Sequence, residues 1–211
     1  FHQQFNPLKK SIEDITALFR QVDIMCNNIN EKTGKNIDAD EMYLMVISMI
    51  SNFLIDLSEI DSDSLYIQME QLLFENIPVL YSDETISVLA HLREQQTSTL
   101  SILSNTGFIR GSSLREVLKR IGLYDLFDFQ LYSDEAGMSK PNLEFFNLML
   151  NEVSKLHSNC AADDIIHIGD NRKADIEGAN LAGIKSLLVN SNNIPINTLL
   201  CKEFQPILST R

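Results

Sequence analysis

Apolar residues recur at helical spacing in the first third of the chain. Five of them lie three or four residues apart and predict one amphipathic helix: Ile12, Ile15, Leu18, Phe19 and Val22. The stretch 33–36 breaks this pattern, and further helices are predicted over about 38–57 and 64–75. Strand signals are almost absent before Pro78, so we expect a small helical bundle here.

After Pro78 the pattern changes to short apolar runs that alternate with amphipathic segments. This alternation is typical of strands linked by crossover helices in a parallel sheet. Strands are predicted near 99–103, 127–132, 165–169 and 186–189. The predicted fold class is therefore α/β, with a doubly wound parallel sheet and a separate helical region.

One crossover helix has predicted boundaries. Ser113 and Glu116 have the spacing of a capping box at a helix start, and Gly122 is suited to the helix end. Leu114, Val117 and Ile121 would share its apolar face.

Composition narrows the range of partners and compartments. The 211 residues, 44% hydrophobic, suffice for one core and a smaller appended domain. A formal net charge of −12 disfavours nucleic acid as a partner. The apolar stretch 42–57 is too interrupted to span a bilayer, so no membrane partner is expected.

The cysteines favour a reducing compartment. Cys26, Cys160 and Cys201 are odd in number and lack metal-ligand spacing, and no secretory segment opens the chain. We therefore expect a cytoplasmic protein. The expected assembly is a monomer or a homodimer.

Polar residues follow three of the predicted strands, where parallel strands direct their loops into one crevice. Ser104, Asn105 and Thr106 come first, ahead of Gly107. Hydroxyl groups and exposed backbone amides can hold an anion there. The same residue types are also ordinary turn formers.

Lys140 follows the second of these strands and precedes a helix start at Pro141. An ammonium group at this place can neutralise a phosphate or a carboxylate. The alternative is a solvated surface lysine.

Asp170 ends the third strand, and Asp175 falls in the first turn of the next helix. Two carboxylates suit a hard divalent cation, which prefers oxygen ligands. Equally, Asp170 could cap the helix while Asp175 complements its dipole.

Taken together, these residues resemble the second, third and fourth motifs of haloacid dehalogenase-like (HAD-like) hydrolases. The motifs are 104–107, 137–141 and the Gly-Asp pair 169–170 with Asp175, in the family's order. The resemblance covers about 78–190. A subgroup of the family inserts a helical cap after its first motif, which implies a cap over 9–78 and a Rossmann-like core over 1–8 and 79–211.

The resemblance also implies a chemistry and a role for each residue. Ser104 would bind the phosphoryl oxygens, Lys140 would neutralise their charge, and Asn105 and Thr106 would contact the substrate. Asp170 would ligate Mg²⁺, with Asp175 in support. The implied substrate is a small phosphorylated molecule, since phosphoryl transfer is catalysed mainly by positioning and charge neutralisation.

The family's first motif, which supplies an aspartate nucleophile from the central strand, is absent from the 211 residues. The opening stretch 1–7 lies about where that motif should be, so we expect the nucleophile upstream of Phe1. In this alignment His2 takes the general acid/base position. An imidazole is suited to this role, since it can protonate a leaving oxygen near neutral pH. Alternatively, His2 belongs to a frayed terminus.

Loss of a central strand should leave a large gap and unpaired backbone groups on both neighbouring strands. We therefore expect residues before Phe1, or a substitute for them, to fill that gap. Two functions stay open: a magnesium-dependent phosphatase, and an inactive relative that binds a ligand or protein. Carbon–halogen hydrolysis is a third possibility, although Asp170 with Asp175 resembles the metal-using branch.

Overall fold

The first third of the chain is helical, as its apolar spacing predicts. The computed structural model describes residues 1–94, 98–190 and 193–200. Helix α1 spans Ile12–Thr33, α2 spans Ala39–Ser51 and α3 spans Ser62–Glu75. Their apolar faces pack into two buried clusters, one of which contains Val22, Met42 and Val46.

Local backbone chemistry sets the ends of these helices. Ser11 and Asp14 form a capping box at the start of α1, and Gly34 ends it with a left-handed φ of 68°. The second helix is shorter than the predicted 38–57, because Asn52 and Phe53 adopt positive φ angles of 50° and 62°. The division of the chain into a cap and a core stays a prediction.

Strands and crossover helices alternate in the rest of the described chain. In order, they are α4 Thr85–Glu94, β1 Ser101–Ser104, α5 Gly111–Arg120, β2 Phe129–Tyr132, α6 Ser133–Ala136, α7 Leu143–Leu156, β3 Ile166–Gly169, a π-helical turn Arg172–Glu177, α8 Gly178–Leu181 and β4 Lys185–Leu188. Short 3₁₀ turns lie at Leu57–Glu59, Tyr124–Leu126, Ala162–Asp164 and Ile196–Leu200. All four predicted strands are confirmed, each within two residues of its predicted ends.

The strands form two separate parallel pairs. β1 pairs with β2, so that Ser104 lies opposite Tyr132, and β3 pairs with β4, so that Gly169 lies opposite Leu188. Within the described residues no ladder joins β1 to β3. The α/β class with parallel strands is confirmed, and the sheet consists of two halves.

A cavity of about 1380 Å³ separates the two half-sheets, at the place where the sequence predicts a gap. Both β1 and β3 line it along their whole length. Leu92 of α4 and Met149 and Val153 of α7 also line it. It is larger than the 300–1,000 Å³ typical of small-molecule pockets. The cavity therefore has the walls that a strand buried on both faces requires.

The predicted capping box at Ser113 is wrong. Helix α5 starts at Gly111, and Arg110 precedes it without a side-chain cap. The Ser113 hydroxyl instead lies 2.9 Å from the Tyr66 hydroxyl and donates to Glu70 at 2.6 Å. Ser113 therefore forms tertiary hydrogen bonds, although its local spacing predicted a helix cap. Pro141 also lies one residue before the N-cap Asn142, not in the first turn of α7.

The helical region contacts the α/β region through aromatic and charged groups. The Tyr43 hydroxyl donates to the Phe108 carbonyl at 2.9 Å, and their rings lie 5.2 Å apart. Arg110 binds both carboxylate oxygens of Asp40 at 2.6 Å and stacks over the Tyr66 ring. These contacts fix the helices beside the loop that follows β1.

Two expectations from composition concern the cysteines and the membrane. Cys26 and Cys160 are free thiols, and Cys201 lies outside the described residues. In the part of the chain that the structure describes, no helix is both long and apolar enough to cross a bilayer.

Candidate active site

Lys140 links the two half-sheets at their carboxyl ends. Its side chain is buried, and its ammonium donates to the Leu103 carbonyl of β1 at 2.6 Å and to Asp175 Oδ1 at 2.7 Å. The structure thus brings together Lys140, which the sequence placed in a loop, and Asp175, which it placed in the first turn of a later helix. A buried cation at the end of parallel strands is suited to an anionic ligand.

Three donors converge on the Asp175 carboxylate. Oδ1 accepts from Lys140 and lies 3.0 Å from His167 Nε2, while Oδ2 accepts from the Asn171 amide at 3.0 Å. Gly169 makes this possible, because a Cβ there would lie 2.2 Å from the Asp175 Cγ. Asp175 is therefore tied to β3 on one side and to Lys140 on the other.

Burial and hydrogen bonding act on the two titratable neighbours in different ways. Burial alone would raise the pKa of Asp175, but the His167 hydrogen bond and the Lys140 charge hold this pKa well below its usual range. Burial lowers the pKa of His167 below 6.5, although its hydrogen bond to Asp175 opposes the shift. The folded protein therefore favours a charged Asp175 and a neutral His167.

Stability should fall on acidification, and His167 should contribute to this from about pH 6.5 downward. The lowered pKa means that the unfolded chain binds a proton there which the folded chain does not. The contribution is at most about 1.4 kcal/mol per pH unit. We expect the urea midpoint of the wild type to fall more steeply than that of His167→Gln between pH 8 and pH 5. Parallel profiles would contradict this.

Gly169→Ala should lower the free energy of unfolding by about 1–3 kcal/mol, because the new methyl group overlaps the Asp175 carboxylate. Urea denaturation measures the change. Gly107→Ala is the matched control, since its Cβ would find its nearest neighbour, Asp23 Oδ1, at an ordinary 3.6 Å. Equal losses in both variants would show that the close approach of Asp175 is not the cause.

The predicted anion-binding residues lie after β1, but their side chains have different partners. The Ser104 hydroxyl donates to the neighbouring Asn105 carbonyl at 3.1 Å. The Asn105 amide pairs with the backbone of Lys140 through bonds of 2.7 and 3.1 Å. Thr106 is buried against Ser133, with its hydroxyl 3.0 Å from the serine hydroxyl. Asn105 thus holds the loop that carries Lys140, and Ser104 lines the cavity.

Asp170 is exposed directly after β3 and lines the cavity. Asn171, and not Asp170, caps the following turn by accepting from the Lys173 and Ala174 amides. No group of three or more His, Cys, Asp or Glu side chains among the described residues has the arrangement of a metal site. Mg²⁺ often needs only one or two protein carboxylates, because it retains several waters. Asp170 fits as one such ligand, whereas Asp175 is already engaged.

His2 lies in an exposed turn, and no hydrogen bond of the described residues joins it to Ser104, Lys140 or Asp170. Its neighbour Phe1 packs edge-on against Phe19 at 4.9 Å. A general acid/base role for His2 stays a prediction.

Two residues near the site were missed by the sequence analysis. His167 lies within the predicted strand 165–169, and nothing in a strand pattern signals its bond to Asp175. The Glu31 carboxylate of α1 accepts from the side-chain amide of Asn171 at 3.2 Å and forms an ion pair with Lys173 at 3.1 Å. The loop after α1 also contacts the loop before Lys140, since the Gly34 carbonyl accepts from the backbone amide of Ser139 at 3.1 Å. Such contacts depend on tertiary structure.

Comparisons with known proteins agree with this geometry. The sequence profile of haloacid dehalogenase-like hydrolases matches residues 61–189. A glyceraldehyde 3-phosphate phosphatase of Methanothermobacter thermautotrophicus is 33% identical over 102 residues, covering 45% of this chain and 43% of that protein. The Escherichia coli pyrimidine 5'-nucleotidase YjjG is 33% identical over 95 residues, covering 44% and 39%. The matches therefore span less than half the length of these relatives.

Among solved structures, the Bacillus subtilis HAD-hydrolase YfnB superposes with a TM-score of 0.65 at 22% identity. The superposition covers 86% of this chain and 74% of that one. The YfnB crystal is described as bound to magnesium and as revealing interdomain movement. At this identity the likeness supports the fold.

Proposed function

This chain belongs to the haloacid dehalogenase-like hydrolase family, and from that premise we propose that it is a magnesium-dependent phosphatase acting on a small phosphomonoester. The observation that carries the proposal is the buried Lys140 ammonium, held between the Leu103 carbonyl and Asp175 at the carboxyl ends of the strands. The two curated relatives are named as phosphatases of small phosphorylated compounds, which supports the same substrate class.

Lys140 and Ser104 bind the phosphoryl group in this proposal. The ammonium has three N–H donors, of which the described hydrogen bonds use two, so one is available to a phosphoryl oxygen. The Ser104 hydroxyl can turn from its local carbonyl toward a second oxygen, and Asn105 keeps the two loops in register. Asn105 and Thr106 are also proposed to contact the substrate, although the Thr106 backbone amide already donates to the Ser133 hydroxyl at 2.8 Å. Charge neutralisation at fixed positions is the main requirement of phosphoryl transfer.

Asp170 is the proposed protein ligand of Mg²⁺, with Asp175 supporting the site through Lys140 and the Asn171 backbone. When bound, the ion would supply positive charge that stabilises the phosphoryl oxygens as the transition state forms. Asp170 is free for this role because the neighbouring Asn171 already caps the turn.

The nucleophile is proposed to be an aspartate on a strand outside the 211 residues, in the cavity between β1 and β3. The cavity supports this, because a parallel strand there would end beside Ser104, Lys140 and Asp170. The carboxylate would attack phosphorus while the P–O bond to the alcohol breaks and the alcohol takes up a proton. Water would then hydrolyse the aspartyl phosphate, releasing inorganic phosphate and restoring the carboxylate.

The helices over 9–78 are proposed to form a cap that limits access of water and selects the substrate. The contacts of Glu31 with the loop after Asp170, and of Gly34 with the loop before Lys140, support this assignment. Because both loops carry proposed site residues, movement of the cap would shift the positions of those residues.

The deciding experiment combines the amino-terminal sequence of the full-length protein, obtained by mass spectrometry, with an assay on an aryl phosphate. We expect turnover that EDTA abolishes and added Mg²⁺ restores, and a phosphorylated protein after acid quenching. A full-length protein with neither turnover nor a phosphorylated form would favour the second candidate, an inactive relative that binds a ligand or protein partner.

A further inference from the structure

His167 lies in the middle of β3 between an aromatic ring and a carboxylate. Its ring packs edge-on against Phe146, with centroids 5.2 Å apart at an interplanar angle of 77°. Gly178 leaves room for the Phe146 ring, since a Cβ at Gly178 would lie 2.5 Å from that ring. Nε2 lies 3.0 Å from Asp175 Oδ1, and the side chain is 10% exposed. The imidazole is therefore held in one orientation.

The chemistry of the partner fixes the direction of this hydrogen bond. An ionised carboxylate only accepts, so the Nε2–H of His167 must donate to Asp175. Lys140 and Asp175 are the charged groups that act on the imidazole: burial and the Lys140 charge disfavour a second proton on the ring, and together they outweigh the opposing effect of Asp175 on its pKa. The neutral ring then carries its proton on Nε2 and leaves Nδ1 unprotonated.

His167 and Lys140 share one oxygen of Asp175. Both donors reach Oδ1, while the Asn171 amide holds Oδ2, so the carboxylate plane is fixed at both ends. The direction of the unused Lys140 N–H depends on where its two acceptors, Leu103 O and Asp175 Oδ1, are held. Without the imidazole, Oδ1 would be held by the lysine ammonium alone.

We propose that His167 is a positioning residue for phosphoryl transfer, which acts by holding the Asp175 carboxylate and, through it, the Lys140 ammonium. This inference rests on the proposed phosphatase function. A neutral donor suits the role because it orients the carboxylate without competing with Lys140 for its charge. Partners that orient the groups touching a reaction centre commonly affect activity by about 10- to 100-fold.

The test compares His167→Leu with His167→Gln in the full-length protein, assayed with an aryl phosphate. Leucine keeps apolar packing on Phe146 but lacks a donor, whereas the glutamine amide can reach the Nε2 position. We expect kcat to fall on the order of tenfold in His167→Leu with a smaller change in KM, because the lysine's charge matters most in the transition state. Glutamine should restore most of kcat.

A second measurement does not depend on turnover. ¹⁵N NMR of the wild-type imidazoles should show His167 as the neutral Nε2–H tautomer at pH 7. A proton on Nδ1, or wild-type kcat and KM in His167→Leu, overturns the positioning role while leaving the phosphatase proposal intact. Absence of turnover in the wild type overturns the phosphatase proposal and this role together, so the two failures are distinguishable. If His167→Leu does not fold, the kcat of His167→Gln and the tautomer of the wild-type His167 imidazole test the positioning role.

Discussion

Lys140→Met is expected to abolish phosphatase turnover and to lower the free energy of unfolding by about 3 kcal/mol. The substitution keeps an apolar stem of similar length but leaves the Asp175 carboxylate buried without its counter-charge. Loss of a preorganised charge at the transferring group should reduce kcat on the order of 100- to 1,000-fold. Urea denaturation and steady-state kinetics with an aryl phosphate measure the two effects.

Lys155→Met is the matched control, because Lys155 pairs with Glu152 in an exposed ion pair. Its removal should change stability by less than about 0.5 kcal/mol and leave turnover unaltered. The double variant Lys140→Met/Asp175→Asn separates stability from function: it should recover part of the stability, since no buried charge is left unpaired, yet stay inactive. A Lys140→Met protein with wild-type kcat would exclude the proposed role of the lysine.

Asp170→Asn is expected to remove magnesium-dependent turnover while leaving the fold intact. The carboxylate is exposed and forms no cap, so its loss should change the free energy of unfolding by less than about 0.5 kcal/mol. Loss of the proposed metal ligand should lower kcat by on the order of 100-fold or more. Titration of activity with Mg²⁺ and thermal denaturation with and without Mg²⁺ measure these effects.

Asp163→Asn provides the control, since Asp163 is also exposed and lies shortly before β3. It should behave as the wild type in both assays. In the wild type, Mg²⁺ should raise the melting temperature, because a ligand that binds only the folded state stabilises it. An Asp170→Asn protein that keeps this thermal shift would place the ion elsewhere.

The sequence predicts the strands well because their determinants are local. Residues 99–103 and 165–169 are short apolar runs followed by polar residues, and β1 and β3 form there. The early end of α2 was missed, because the positive φ angles of Asn52 and Phe53 leave no clear mark in an apolar periodicity. The gap between the half-sheets was predicted from a global argument, namely that a parallel sheet needs its central strand.

The site could be predicted residue by residue, but its connections could not. Motif spacing placed Lys140 and Asp170 after strands and Asp175 in the first turn of the next helix, and the structure brings Lys140 and Asp175 within 2.7 Å. The position of Asp175 beside His167 depends on Gly169, because a Cβ there would overlap the Asp175 carboxylate, and only the folded backbone shows this. Likewise, Ser113 satisfied a local capping rule but bonds to groups of α3.

The open edges of β1 and β3 have a consequence for how this protein behaves toward copies of itself. An unpaired strand edge normally invites aggregation, because another chain can add to it. Here both edges face inward across one cavity, between α4 and α7. A strand in this cavity, as proposed above, would pair with both inner edges at once and leave β2 and β4 at the outer edges of the sheet. Filling the cavity would therefore complete the site and also remove two edges to which another chain could add.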